Sequence, residues 1–249
     1  PVTIKSVEGI GVLQSAKTYY YVFRGASLIN VVCNISRNRA YPDFKNDSKF
    51  NNLTENTMEI LFKANSFPNT LNTLMGIESN YLLRIGDATI PNNQLQVATS
   101  VNNCTSADLQ LESGKWYHVA VAFNKGNVKV YINGVEKLSG STGKSSVSLG
   151  AKHTNEEDGS RCFWVGYSYK DDRYFDGVVS EVRIWNRALT AEEIQATNHF
   201  YTIEPESEGL IAYWKFDEGS GTVAKDYSVS GYDLTIEKEP KWESVSLPQ

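Results

Sequence analysis

Residues 116–135 read WYHVAVAFNKGNVKVYINGV. Trp116 to Phe123 is a run of strand-favouring residues with no Gly or Pro. Side chains alternate along a strand, so Val119, Val121 and Phe123 share one side, and Trp116, His118, Ala120 and Ala122 the other. Both sides are largely apolar, which predicts a central strand covered on both faces. Asn124-Lys125-Gly126-Asn127 supplies a turn in which Gly126 is free to take positive φ. Val128, Val130 and Ile132 then alternate with Lys129, Tyr131 and Asn133, the pattern of a half-buried strand. Asn133-Gly134 is a strong two-residue hairpin signal. The stretch is a β-hairpin followed by a second turn, and it sets the class as antiparallel β.

The same pattern extends on both sides. TMEILFKAN, TLMGIES, YLLRIGD and QLQVATS, between Thr57 and Ser100, are short runs parted by Pro, Asn, Gly and Ser. Strands at this spacing, with few helical stretches, predict a sandwich or barrel. Residues 161–187, RCFWVGYSYKDDRYFDGVVSEVRIWNR, give two strands around an acidic loop. In VSEVRIW, strict alternation sets Val179, Glu181, Arg183 and Trp185 against Ser180, Val182 and Ile184. LTAEEIQ is the one convincing helix, with Thr190 and Glu193 forming a capping box. Residues 209–236 give a last pair of strands about a Gly/Ser turn, and the tail KWESVSLPQ adds an edge strand. Residues 34–57, rich in Asn, Ser, Asp and Lys, read as a long connection or a domain boundary.

The chain of 249 residues is long enough for one large all-β domain whose core needs no staples. Its net charge of −5 comes without a basic run, which argues against nucleic acid, whose phosphates demand a concentrated cationic surface. No apolar run approaches the roughly 18 residues of a transmembrane segment. Cys33, Cys104 and Cys162 are too few for a disulfide framework or a zinc site; they read as buried thiols, and a single bridging pair stays open. His118, His153 and His199 show no metal-ligand spacing, and His118 reads as a satisfied core residue. GSTGKSS lacks the first glycine of a phosphate loop, since Leu138 stands in its place.

Three motifs together resemble the laminin-G-like domains of the concanavalin A-like lectin/glucanase superfamily. They are WYHVAVAFNKGNVKVYINGV, FWVGYSYKDDRYFDGVVSEVRIWNRALTAEEI and GLIAYWKFDEGSGTVAKDYSVSGYDLTI. The resemblance covers roughly residues 40–249 and implies a jelly-roll of two curved antiparallel sheets with one short helix. The domain is accordingly drawn as residues 31–249. The third motif commonly opens such a domain but closes this one, as in a circular rearrangement. Residues 1–30, through PVTIKSV and KTYYYVF, resemble the last strands of a small β-sandwich domain that precedes laminin-G-like domains in bacterial surface lipoproteins. That implies a cell-surface or secreted protein, with an outer-membrane transporter as partner.

The resemblance implies glycan binding, and the residues bear on catalysis first. Laminarinase-like enzymes of the superfamily carry paired carboxylates as Glu-x-Asp-x-x-Glu, at the separation of about 5–10 Å that glycoside hydrolysis requires. The motif is absent, and SEVRIWN holds only Glu181, close to Arg183. The chain therefore reads as a non-catalytic binder of carbohydrate. Two alternatives stand beside this: an adhesion module for a protein, or a hydrolase whose carboxylates come from separate strands. Sugar sites combine aromatic faces for C–H stacking with polar partners for hydroxyls. The best cluster is Trp164, Tyr167, Tyr169 and Tyr174 with Asp171, Asp172 and Arg173; Arg84 and Asp87 are a second candidate. The resemblance also implies a calcium near a strand edge. Ser180 occupies a position where the family often has an acidic residue, leaving Asp217 and Asp226 as candidate ligands.

Overall fold

The computed structural model describes residues 29–100, 103–151, 162–168 and 171–247. In chain order the strands are β1 (Ile29–Asn34), β2 (Ala40–Pro42), β3 (Glu55–Ala64), β4 (Asn72–Ile77), β5 (Tyr81–Asp87), β6 (Ile90–Ser100), β7 (Asn103–Gln110) and β8 (Trp116–Asn124). They continue as β9 (Asn127–Ile132), β10 (Val135–Ser141), β11 (Trp164–Val165), β12 (Gly177–Trp185), β13 (Leu210–Trp214), β14 (Val223–Ala224), β15 (Leu234–Ile236) and β16 (Lys241–Ser246). One sheet runs β10-β9-β8-β3-β12-β1-β16, with β13 also beside β12; the other runs β14-β15-β2-β11-β4-β5-β6-β7. The pairings are antiparallel. The core lies between the sheets, where Ile60, Phe62, Val119, Val121 and Val130 of the first join one apolar cluster with Leu83, Ile85, Leu95 and Val97 of the second. Side chains of this size contribute about 1.5–3 kcal/mol each when fully buried. The result is an all-β jelly-roll sandwich with one short helix, α1 (Ala191–Ile194).

The deciding stretch takes its expected place. β8 is central, between β3 and β9. Val119, Val121 and Phe123 face the inter-sheet core, while Ala120 and Ala122 belong to a second apolar cluster on the outer face. Lys125 (φ 46°) and Gly126 (φ 93°) form the two-residue turn, and Asn133 (φ 49°) and Gly134 (φ 76°) the next. Positive φ at both central residues matches the strand twist.

Strict alternation fails in β12. A bulge between Val179 and Glu181 absorbs Ser180, so Val179 joins Val182 and Ile184 in the inter-sheet core. An extra residue on one strand shifts the phase of everything before it. Residues 34–57 are also more than a connection, since β2 lies inside the second sheet between β15 and β11. Of residues 1–30, positions 1–28 lie outside the described residues, and Ile29 and Asn30 begin β1.

The C-terminal segment completes both sheets. β13 pairs with β12, β15 with β2, and β16 with β1 as an edge strand. The outer face of the first sheet is covered in turn by the segment from β12 to β13. Its Leu189 and Ile194 pack with Ala120, Tyr131, Trp185 and Tyr213, and Phe200 and Ile203 lie against them. The capping box starts α1 as expected, with the Glu193 N–H donating to Thr190 and the Thr190 N–H donating to Glu193.

Candidate functional site

The outer face of the second sheet gathers most of the candidate sugar-binding residues. Ala40, Val165, Leu74, Leu83 and Val97 point into the core. Their neighbours Tyr41, Trp164, Thr73, Arg84 and Gln96 therefore face outward on β2, β11, β4, β5 and β6. Thr73, Arg84 and Gln96 stand in register. The segment after β11 returns across this face. Gly166 (φ 78°) turns it, its N–H donating to Leu74 O and its carbonyl accepting from Phe175 N. Phe175 then anchors the segment in the core, edge-on to Phe62.

Four rings form a chain on this face. Tyr41 meets Trp164 at 5.2 Å, Trp164 meets Tyr167 at 5.1 Å, and Tyr167 meets Tyr174 at 4.9 Å between centroids. Trp164 and Tyr167 are each only 3% exposed. They are the floor of the cluster, and the Arg39 guanidinium lies over both rings, 5.5 Å and 4.9 Å from their centroids. Tyr41, Tyr174 and Arg39 are half-buried at the rim. Arg39 is itself held by Glu237, at 2.5 Å, and this bond holds the guanidinium above its usual pKa against the effect of burial. Asp172 is exposed, while Arg173 pairs with Glu78 at 2.9 Å. Tyr169 and the Asp171 side chain lie outside the described residues.

Arg84 is buried, donates to Gln96 on β6 at 2.7 Å and forms an ion pair with Asp87 at the end of its own strand, β5. Arg39, Tyr41, Glu78 and Gln96 are absent from the sequence-based site. Only strand register places them beside it, and no local motif marks them.

Of the candidate calcium ligands, Asp217 follows β13 and Asp226 follows β14. Asp226 accepts the N–H groups of Tyr213 and Ser228 on one oxygen and of Tyr232 on the other. Asp217 is exposed, with Lys215 at 3.9 Å. The Asp226 carboxylate thus organises the turn after β14 through backbone N–H groups.

The histidines require a correction. Sequence spacing separates them, yet the outer face of the first sheet brings His118 of β8 and His199 of the covering segment together at Glu59 of β3. All three are buried, with Arg183 and Glu181 of β12 beside them. His199 Nε2 is 2.6 Å from Glu59 Oε1, and His118 Nε2 is 3.3 Å from the same oxygen. Trp185 Nε1 donates to Glu59 Oε2 at 2.7 Å. His118 Nδ1 has no hydrogen-bond partner, and its Nε2 meets only Glu59 Oε1. Burial holds the His118 imidazole below its usual pKa despite the nearby Glu59 carboxylate. Burial would raise Glu59, but the two imidazoles and Arg183 outweigh it and hold its carboxyl well below the usual range.

Residues 38–195 match the family model Laminin_G_3, described as concanavalin A-like lectin/glucanases superfamily. No curated relative matches the chain. Among solved structures it is similar to a candidate carbohydrate binding protein from Bacteroides ovatus ATCC 8483, at 27% identity and a TM-score of 0.73. The similarity covers 88% of this chain and 61% of that one, so the chain spans less than two thirds of that protein. Domain 4 of AbnA, a GH43 extracellular arabinanase from Geobacillus stearothermophilus solved with arabinotriose, shares the fold. Its identity is 24% and its TM-score 0.50, over 68% of this chain and 76% of that one. A mutant NanB sialidase from Streptococcus pneumoniae shares it at 15% identity and a TM-score of 0.50, over 72% of this chain and 29% of that one.

Proposed function

Because the chain belongs to the laminin-G-like family of the concanavalin A-like lectin/glucanases superfamily, we propose that it binds carbohydrate without cleaving it, on the outer face of its second sheet. The observation that carries this is the ring chain Tyr41–Trp164–Tyr167–Tyr174 with Arg39 lying over its two central rings. The buried pair Trp164 and Tyr167 fixes the rim, and the half-buried Tyr41 and Tyr174 supply the stacking edge. Arg39, Asp172 and Arg173 supply polar partners for hydroxyls. The likeness to the Bacteroides ovatus protein supports the same reading.

Hydrolysis needs two carboxylates facing each other across a groove. Glu59 and Glu181, which separate strands bring to one face, are instead buried around Arg183 beneath the covering segment. This supports the non-catalytic reading, and release of reducing sugar by the purified protein would overturn it. In this reading the protein is displayed at a bacterial surface and passes captured glycan to partner proteins.

A glycan array followed by calorimetry with a broad polysaccharide panel tests binding. Tyr174→Ala and Tyr41→Ala should each weaken it about tenfold, the scale of one aromatic stacking contact. Trp116→Ala, on the first sheet, should leave it unchanged. No binding to any glycan, or binding as tight as wild type by both tyrosine variants, would sink the proposal.

A further inference from the structure

The buried cluster on the first sheet lies on the opposite side of the sandwich from the proposed sugar face. We propose that Glu59, His118 and His199 form a site for a divalent transition-metal ion of the zinc type, which ties the covering segment to the sheet. Among the described residues this is the one group of three or more His, Cys, Asp or Glu side chains whose ligand atoms all lie within 4.8 Å of one another. Both imidazole Nε2 atoms converge on a single oxygen, Glu59 Oε1. In a tetrahedral zinc site with bonds of about 2.0–2.2 Å, neighbouring ligand atoms stand about 3.3 Å apart. The separation of His118 Nε2 from Glu59 Oε1 is 3.3 Å. The 2.6 Å separation of His199 from Glu59 would open by less than about 1 Å.

Three further observations favour a cation here. His118 is 1% exposed; its Nδ1 lacks a hydrogen-bond partner and its Nε2 meets only Glu59 Oε1, at 3.3 Å. A buried polar group left unpaired is costly, and a ligand bond would recover that cost. Phe200 stacks on the His118 ring at 4.4 Å and Trp185 donates to the second oxygen of Glu59, so the ligands are already oriented. The charges also leave room for a cation. Arg183 lies 2.7 Å from Glu181 but 3.7 Å from Glu59. One guanidinium thus faces two buried carboxylates, and the excess negative charge sits on Glu59. Two imidazoles and one carboxylate suit zinc or cobalt(II) rather than calcium or magnesium, which prefer oxygen alone. The ligands come from β3, β8 and the segment after α1, so the ion would act as a structural clasp.

The test uses the whole chain after dialysis against a chelator. Titration with Zn2+ by calorimetry should show one equivalent bound and a raised Tm, while Ca2+ and Mg2+ should raise neither. Titration with Co2+ should give the visible absorption of a tetrahedral nitrogen–oxygen site. His199→Ala and His118→Ala should each weaken Zn2+ binding by at least about tenfold. Should either variant fail to fold, the wild-type titrations alone decide. No uptake of Zn2+ or Co2+ by the wild-type chain, or equal uptake by folded His199→Ala protein, overturns the proposal.

Discussion

Arg183 is fully buried, with its guanidinium 2.7 Å from Glu181, 2.7 Å from the His199 carbonyl and 5.2 Å from the Tyr213 ring centroid. Its removal leaves two carboxylates in a dry site, so Arg183→Leu should cost about 3–5 kcal/mol, read as a fall in the urea midpoint at constant slope. A loss under about 1 kcal/mol would mean that the cluster is not sealed from water. Asp176 behaves differently. Burial raises its carboxyl, but hydrogen bonds from Ser66, Ser36 and Asn65 outweigh this and hold it below the usual Asp value. A depressed carboxyl contributes stability that is present above its unfolded pKa and lost as pH falls through the folded one. Asp176→Asn should therefore lower stability at neutral pH and flatten the decline below about pH 4, measured by urea denaturation at several pH values. No sequence pattern marks Asp176. Glu181 beside Arg183 is visible as a pair in SEVRIWN, but Glu59, His118 and His199 lie on distant segments. Their meeting depends on the β3–β8 register and on how the covering segment folds back, which no local spacing records.

The elements that local chemistry dictates are the ones read most directly from sequence. The two turns of the deciding stretch require positive φ at Lys125-Gly126 and Asn133-Gly134, and the residues there supply it. Helix α1 is only 4 residues long, too short to be stable by propagation, so its capping box and the burial of Ile194 hold it. Thr190→Ala should cost about 1 kcal/mol, visible as a lower urea midpoint. Hydrogen exchange should show the added opening confined to residues 190–204. If the whole first sheet opens as well, the covering segment and the sheet are one cooperative unit. The bulge at Ser180 marks the limit of period-2 reasoning. A bulge changes the register without changing composition, so strict alternation puts Val179 with Glu181, whereas it belongs with Val182. The first of the two strands expected around the acidic loop of residues 161–187 is β11, only two residues long, because the backbone turns at Gly166.

At the scale of the molecule, residues 209–247 join the two ends of the fold. This segment supplies core residues Trp214, Leu234 and Ile236 and reaches both sheets. Its last strand, β16, pairs with β1 from Ile29↔Ser246 to Asn34↔Lys241. The end of the sandwich in sequence thus lies beside its beginning in space, as in a β-hairpin lacking its turn. A sandwich is indifferent to which of two adjacent strand ends carries the peptide bond. A permuted chain tests this. It runs from Gly209 to Leu247, continues through an Asn-Gly-containing turn of about 2–5 residues into Ile29, and ends at Glu208. The new termini fall in the turn before β13, where the Leu210 N–H donates to Ser207 O and Glu208 is exposed. The permuted chain should fold cooperatively and keep the near-ultraviolet circular dichroism of the parent, because the β1–β16 register already sets the strand ends at hairpin distance. An expanded or aggregated product would show that the order of strands along the chain, and not only their places in the two sheets, is needed to form this sandwich.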